Sequence, residues 1–204
     1  MWIVPSRFRP YYLGRLIEAC LETGLSGPVL ARVDDDDPLL SEYRALALPD
    51  TWRLAVGPRK GLAAIYNDIF AAAPAEDFYG LLADDLVPET TVWGRTLTRE
   101  AGRDGLAFGD DGINGGRLAT HPVLGGDLVR RTGWLALPGL DRLFIDTVWT
   151  QIARAAGVLR YRPDVKVTHW HFSNGRALMD RTYRKPRSAE DRAIYQAWLA
   201  KMAD

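Results

Sequence analysis

Pro28-Val29-Leu30-Ala31-Arg32-Val33-Asp34-Asp35-Asp36-Asp37-Pro38 is an apolar run that stops at a block of carboxylates. Two other segments have the same form. Trp2-Ile3-Val4 stops at Pro5-Ser6-Arg7, and Phe78-Tyr79-Gly80-Leu81-Leu82-Ala83 stops at Asp84-Asp85. Short runs of near-continuous apolar character read as strands covered on both faces, the form that strands take in a parallel sheet between helices. Helical spacing separates them. Pro10 opens a run with Leu13, Leu16, Ile17 and Leu21 on one face, ended by Gly24. Leu62, Ile65, Ile69 and Phe70 form a second such face after Gly57-Pro58-Arg59-Lys60-Gly61, and Trp52 to Val56 adds a third short strand. The order predicts an α/β fold with helices on both faces of a mostly parallel, Rossmann-like sheet. Ligands of such sheets sit outside the carboxyl ends of the strands, where all three polar clusters fall.

The second half is less regular. Residues 89–101 read as a polar helix, 102–126 as glycine- and turn-rich, and 127–133 as a short helix. A helix is expected from Phe144 to Ala156. Leu159 to Tyr161 and Val165 to Thr168 read as two short strands, the second delivering His169-Trp170-His171. After a loop rich in Arg and Lys, Ser188-Ala189-Glu190-Asp191 has the form of a capping box, followed by Ile194, Trp198 and Met202 at helical spacing. There is no internal repeat or low-complexity linker. The expected organisation is one domain over 1–204: a nucleotide-binding half at 1–95, an acceptor and catalytic half at 96–175, and a C-terminal loop and helix at 176–204.

Composition narrows the class. A chain of 204 residues with 47% hydrophobic residues buries about 70% of its unfolded surface without a metal or disulfide staple. The 26 basic residues balance the 26 acidic ones, which argues against a nucleic-acid binder relying on surplus cation. No apolar run approaches the roughly 18 residues of a membrane helix, and nothing at the start reads as a signal peptide. The single cysteine, Cys20, excludes an internal disulfide and fits a reducing, cytoplasmic setting. The acids split unevenly, 19 Asp against 7 Glu. Asp gathers where chains turn or where hard cations are held.

Several groups carry chemistry, each with a plainer alternative. Asp84 and Asp85 repel one another unless a cation or solvent separates them, so they hold a divalent ion or else cap a turn before Pro88. One of Asp34, Asp35 and Asp36 accepts hydrogen bonds from a nucleobase or ribose, or the run is a solvated turn. His169 and His171 point to the same side of an extended segment and could face one ion, or are ordinary hydrogen-bonded histidines. A zinc hydrolase built on that pair is a further reading, with no third His or Cys cluster nearby to support it. Asp146, between Leu143-Phe144-Ile145 and Thr147-Val148-Trp149, either caps a helix or is a desolvated general base. Lys60 with Asn67, and Arg7 with Arg9, contact phosphates or base edges, or are solvated loop charge.

Taken in order, these pieces resemble a GT-A-fold, family-2-like glycosyltransferase of the bacterial and phage type. Val4-Pro5-Ser6-Arg7-Phe8-Arg9-Pro10 is similar to that family's first-strand signature, and Val33 to Pro38 to the acidic end of its second strand. Arg59-Lys60-Gly61-Leu62-Ala63-Ala64 with Asn67 looks like its "R-G-x-A-x-x-x-N" helix, and Leu82 to Pro88 stands where its DxD-type motif belongs. Gly109-Asp110-Asp111, Leu118 to Pro122, Pro138-Gly139-Leu140, Leu143 to Asp146 and His169-Trp170-His171 follow in the same order. The resemblance implies a nucleotide-diphospho-sugar donor, UDP- or GDP-linked, and an acceptor hydroxyl that it does not identify. Pro5, Ser6, Arg7, Asp34, Asp35, Asp36, Lys60, Asn67 and Asp84 would bind the nucleotide. Asp85 with His169 and His171 would hold Mn²⁺ or Mg²⁺, and Asp146 would be the base of an inverting transfer. The motif lacks a third acid at position 86, and Asp146 lacks an acidic neighbour. A non-catalytic nucleotide-sugar or carbohydrate-binding protein on the same fold is the alternative. A partner protein or a second copy could supply acceptor-side surface. Trp93, Trp134 and Trp149 are candidates to stack on a sugar, or core residues.

Overall fold

The computed structural model describes residues 1–177, 179–180 and 188–202. Strands β1 (Trp2–Ser6), β2 (Val29–Asp34), β3 (Trp52–Gly57) and β4 (Phe78–Leu81) alternate with helices α1 (Pro10–Glu22), α2 (Leu40–Arg44) and α3 (Leu62–Ala72). Then come β5 (Leu86–Pro88), α4 (Trp93–Ala101), β6 (Leu106–Asp110), β7 (Val123–Gly125), α5 (Gly126–Thr132), α6 (Ile145–Ala155), β8 (Leu159–His169) and α7 (Ser188–Met202). The eight strands form one sheet in the order β3-β2-β1-β4-β7-β6-β8-β5. Strands β1 to β4 pair in parallel, as their apolar runs predict. The sheet is mixed beyond that point: β7 runs antiparallel to both β4 and β6, β8 parallel to β6, and β5 antiparallel to β8.

The side-chain alternation of β1 shows how the layers form. Trp2 and Val4 enter one apolar layer with Leu13, Leu16 and Ile17 of α1 and with Trp93 and Leu97 of α4. Ile3 enters the other, with Ile65 and Ile69 of α3, Leu128 of α5 and Val148 of α6. Trp2 sets the spacing of β1 and β4. A Cβ on Gly80 would lie 2.0 Å from the Trp2 ring, so no larger residue fits opposite it. Trp93 and Trp149 are fully buried, and Trp134 packs on Trp149 with ring centres 5.3 Å apart. Of the candidates for sugar stacking, Trp93 and Trp149 are core residues and Trp134 is half-buried against the core.

Three expectations for the second half need correction. The stretch 102–126 is more than turns: it supplies β6 and β7, which lie in the middle of the sheet. Its glycines hid them. A Cβ on Gly109 would stand 2.4 Å from the Val165 carbonyl oxygen, so this glycine permits close strand approach and does not mark a turn. The polar helix expected over 89–101 begins only at Trp93. The two strands expected at 159–161 and 165–168 are one, β8, whose pairing with β6 jumps from Gly109↔Arg162 to Asp110↔Lys166. Pro163 has no amide to donate to the ladder and lies in that interruption. The loop rich in Arg and Lys falls largely outside the described residues, as does the Ser188 side chain of the expected capping box.

Candidate functional site

The carboxyl ends of β1 and β4 bring the site together. Beyond β4 the chain turns through Asp84 and Asp85, which are 5% and 2% exposed. Ser6, the last residue of β1, donates to Asp84 Oδ2 at 2.6 Å, and its hydroxyl meets that of Tyr43 at 2.7 Å. Arg9 lies between the two carboxylates, with Nη1 3.2 Å from Asp84 Oδ1 and 2.9 Å from Asp85 Oδ2. On the other side, His169 Nε2 stands 3.2 Å from Asp85 Oδ1. Backbone bonds secure that approach, from His169 N to the Asp111 carbonyl and from Trp170 N to the Asp85 carbonyl, both 2.9 Å. Burial, and then the adjacent Asp85 carboxylate, push the Asp84 carboxyl up from its ordinary range, against the pull of Arg9. Two desolvated carboxylates of this kind need a positive charge between them.

The expected nucleotide residues divide. Arg7 donates to Asp34 Oδ2 at 2.8 Å and also pairs with Asp36, whose carboxyl that bond holds low. Asp37 accepts from Phe8 N at 2.7 Å and from Leu39 N at 2.8 Å, which closes the loop after β2 against the loop after β1. Phe8, between these arginines, has φ 63°, in the left-handed region that a phenylalanine rarely occupies; such strain gathers at functional sites. Pro5 is half-buried in β1, and Asp35 is exposed. Lys60 and Asn67 are engaged elsewhere. Lys60 pairs with Asp68 on the exposed side of α3. Asn67 binds backbone, accepting from Leu135 N and Ala136 N at 2.9 Å and donating to the Ala136 carbonyl at 2.8 Å. The helix motif therefore positions a loop, and nothing in it reaches the carboxylate pair.

Asp146 sits in the first turn of α6, and its Oδ1 accepts from Thr147 N at 2.7 Å. The capping alternative is met in part by that bond, yet burial still pushes the carboxyl up overall, with a further push from Asp111. Asp111 accepts from Ile113 N, Asn114 N, Asn114 Nδ2 and Thr120 Oγ1 at 2.7 to 2.9 Å. Burial opposes its ionisation, but those bonds prevail and hold it low. His121 stands beside it, its ring centre 4.9 Å from that of His169. Burial and the neighbouring His169 push His121 down to about 3, which keeps it neutral. Its Nε2 has no hydrogen-bond partner among the described residues. Asp85, His169 and His121 thus follow one another in contact from the carboxylate pair, and the charge of Asp111 acts on both His121 and Asp146. Sequence reasoning missed Tyr43, His121 and the role of Arg9. The segment Leu118 to Pro122, which follows Gly109-Asp110-Asp111 in the ordered set, was the available signal for His121.

His171 lies next to His169, ring centres 5.0 Å apart, but its Nδ1 accepts from Ser173 N at 3.2 Å. Two carboxylates and an imidazole are donors that suit Mn²⁺ or Mg²⁺ in kind. Among the described residues, though, no three His, Cys, Asp or Glu side chains are gathered in a ligating arrangement. The cation between the carboxylates is Arg9. That finding also leaves the zinc reading without a ligand set. A cavity of about 280 Å³, lined by Met1, Leu30, Ala55, Ile65 and Ile69 among others, contains none of these groups. No described helix is long and apolar enough to cross a membrane.

No family model and no curated protein matches the chain in sequence. Solved structures do match in fold. A mannosyltransferase from Pyrobaculum calidifontis, PcManGT, in complex with GDP-Man and Mn²⁺, aligns with a TM-score of 0.64 and 15% identity over 82% of this chain and 55% of its own. Residues 1–349 of S. aureus TarS align at 0.60 and 12% identity, over 82% and 59%. The homolog of Mycobacterium tuberculosis rv0371c from Mycobacterium sp. strain JC1 aligns at 0.51 and 13%, over 82% and 85%. The chain therefore spans a little over half the length of the first two. Likeness at this identity is likeness of fold, and the fold is that of the GT-A glycosyltransferases.

Proposed function

We propose that the protein is a family-2-like glycosyltransferase that moves a sugar from a nucleotide-diphosphate donor to an acceptor hydroxyl with inversion. The observation that carries this reading is the buried pair Asp84–Asp85 with His169 3.2 Å from Asp85, at the carboxyl end of the parallel strands β1 and β4 in a mixed sheet. PcManGT, on the same fold, was solved with GDP-Man and Mn²⁺. Pro5, Ser6, Arg7, Asp34, Asp35 and Asp36 surround the base and ribose. Asp85, with Asp84 and with His169 or His171 beside it, would hold Mn²⁺ or Mg²⁺. When bound, the cation supplies Lewis-acid stabilisation of the charge on the departing diphosphate. Asp146 takes the proton from the acceptor hydroxyl as that oxygen attacks the anomeric carbon from the face opposite the leaving group. Its raised affinity for a proton suits a base working near neutral pH. The lone buried thiol, Cys20, fits the expected cytoplasmic setting.

Isothermal calorimetry with UDP- and GDP-linked sugars, with and without Mn²⁺, tests the reading. Binding of one class is expected, and no binding under any combination overturns it. A donor-binding protein without transfer is the second reading, favoured by Arg9 filling the space between the carboxylates. It predicts donor binding without product, unchanged in Asp146→Asn.

A further inference from the structure

Arg9 ties three carboxylates with one guanidinium. Besides its bonds to Asp84 and Asp85, its Nε donates to Asp180 Oδ2 at 2.7 Å, and its side chain is only 4% exposed. Its backbone is held between the left-handed Phe8 and Pro10 at the start of α1, with Arg9 N donating to the Tyr43 hydroxyl at 2.8 Å. A divalent cation would need oxygen atoms at about 2.1 Å from the same two carboxylates. We propose that Arg9 and a divalent cation exclude one another between Asp84 and Asp85: Arg9 is the resident counter-ion, and a metal ion enters only by displacing it.

The charges support this. Two cations confined against two carboxylates in a buried site repel one another strongly. Arg15 adds to the positive field, its guanidinium 3.8 Å from the Trp170 ring centre and its charge felt by both aspartates. A displaced Arg9 keeps a partner, because Asp180, already bonded to its Nε, is 31% exposed in its side chain against 7% and 3% for Asp84 and Asp85. A metal ion arriving alone gains little by the exchange. One arriving with a diphosphate brings negative charge that offsets the repulsion from the displaced Arg9. The inference stands on the pair itself and is read with metal alone, so a protein that binds no nucleotide-sugar would still show it.

Mn²⁺ titration followed by the electron paramagnetic resonance of the free ion tests it, on wild type, Arg9→Met and Arg9→Lys. Arg9→Met is expected to bind one Mn²⁺ at least about tenfold more tightly than wild type, since a competing buried charge is gone. Arg9→Lys, which keeps the charge, stays within about threefold of wild type. Arg9→Met should melt lower than wild type without metal and recover with Mn²⁺, while the wild-type melting temperature does not move. Adding Asp85→Asn to Arg9→Met should remove the gained affinity. Equal Mn²⁺ affinity in Arg9→Met and wild type overturns the proposal. So does tight binding by Arg9→Lys, or a gain that survives Asp85→Asn. Arg9→Met that refolds only with Mn²⁺ supports it; Arg9→Met insoluble with and without Mn²⁺ overturns it.

Discussion

Asp146 shows how one residue is prepared. Phe144, two residues before it, takes φ 67° and stacks on Tyr195 at 4.9 Å, so the strained approach to α6 is held by packing. Replacing Asp146 by Asn keeps the shape and removes the proposed base. Transfer should fall on the order of 10²–10⁴-fold while donor binding persists, read by single-turnover kinetics beside calorimetry. The rate of wild type should rise with pH through the raised Asp146 value, because only the carboxylate accepts a proton. Stability moves the other way. The folded state holds this proton more tightly than the unfolded chain, so the contribution of Asp146 is favourable at low pH and lost as pH rises through its folded value. Asp146→Asn should therefore melt above wild type at pH 7, with the difference vanishing below the ordinary carboxylate range. Equal melting at both pH values would refute the desolvation behind this argument.

Helix α7 acts on the site at the level of an element. Asp191 is 1% exposed, and its carboxylate accepts from three consecutive amides, Asp141 N at 2.6 Å, Arg142 N at 3.0 Å and Leu143 N at 2.7 Å. The expected capping box at Ser188–Asp191 gave this residue a local task; its actual partners lie about fifty positions earlier, in the loop that leads to Asp146. Spacing along a helix reports only what lies within a turn, so this clamp could not be read from it. Asp191→Ala leaves three amides without their charged acceptor and should cost roughly 2–4 kcal/mol in urea denaturation, with reduced turnover at unchanged donor affinity. Asp191→Asn, which keeps one acceptor oxygen, should fall between. Asn67 on α3 holds the preceding loop at 135–136 in the same way. The loops at 135–136 and 141–143 are thus positioned by side chains that sequence motifs assign to other duties.

At the scale of the molecule, the order of strands decides which residues meet. Strand β1 is flanked by β2 and β4, so the ends of three apolar runs share one edge, as their sequences predicted. The antiparallel pairing of β5 with β8, which sets Leu86 opposite His169, brings His169 back to Asp85 across 84 positions. The packing of Trp2 against Gly80 keeps β1 and β4 in register beneath the carboxylates. Gly80→Ala forces a methyl into a fully buried indole and should cost about 1–3 kcal/mol, more if the strands separate. A melting temperature unchanged by that substitution would show that β1 and β4 tolerate a wider spacing.

The parallel half of the sheet, helices α1 and α3 and the placement of Asp34, Asp84 and Asp85 at one edge were legible in the amino-acid order alone, while the short α2 between β2 and β3 was not. Apolar runs and helical spacing are local patterns, and a doubly covered strand needs no knowledge of its neighbours to be recognised. The central pair β6 and β7, the seat of Arg9, the buried neutral His121 and the clamp from Asp191 were settled only by the tertiary structure. Each depends on groups far apart in the chain whose desolvated charges and close backbone contacts exist only once the sheet has assembled.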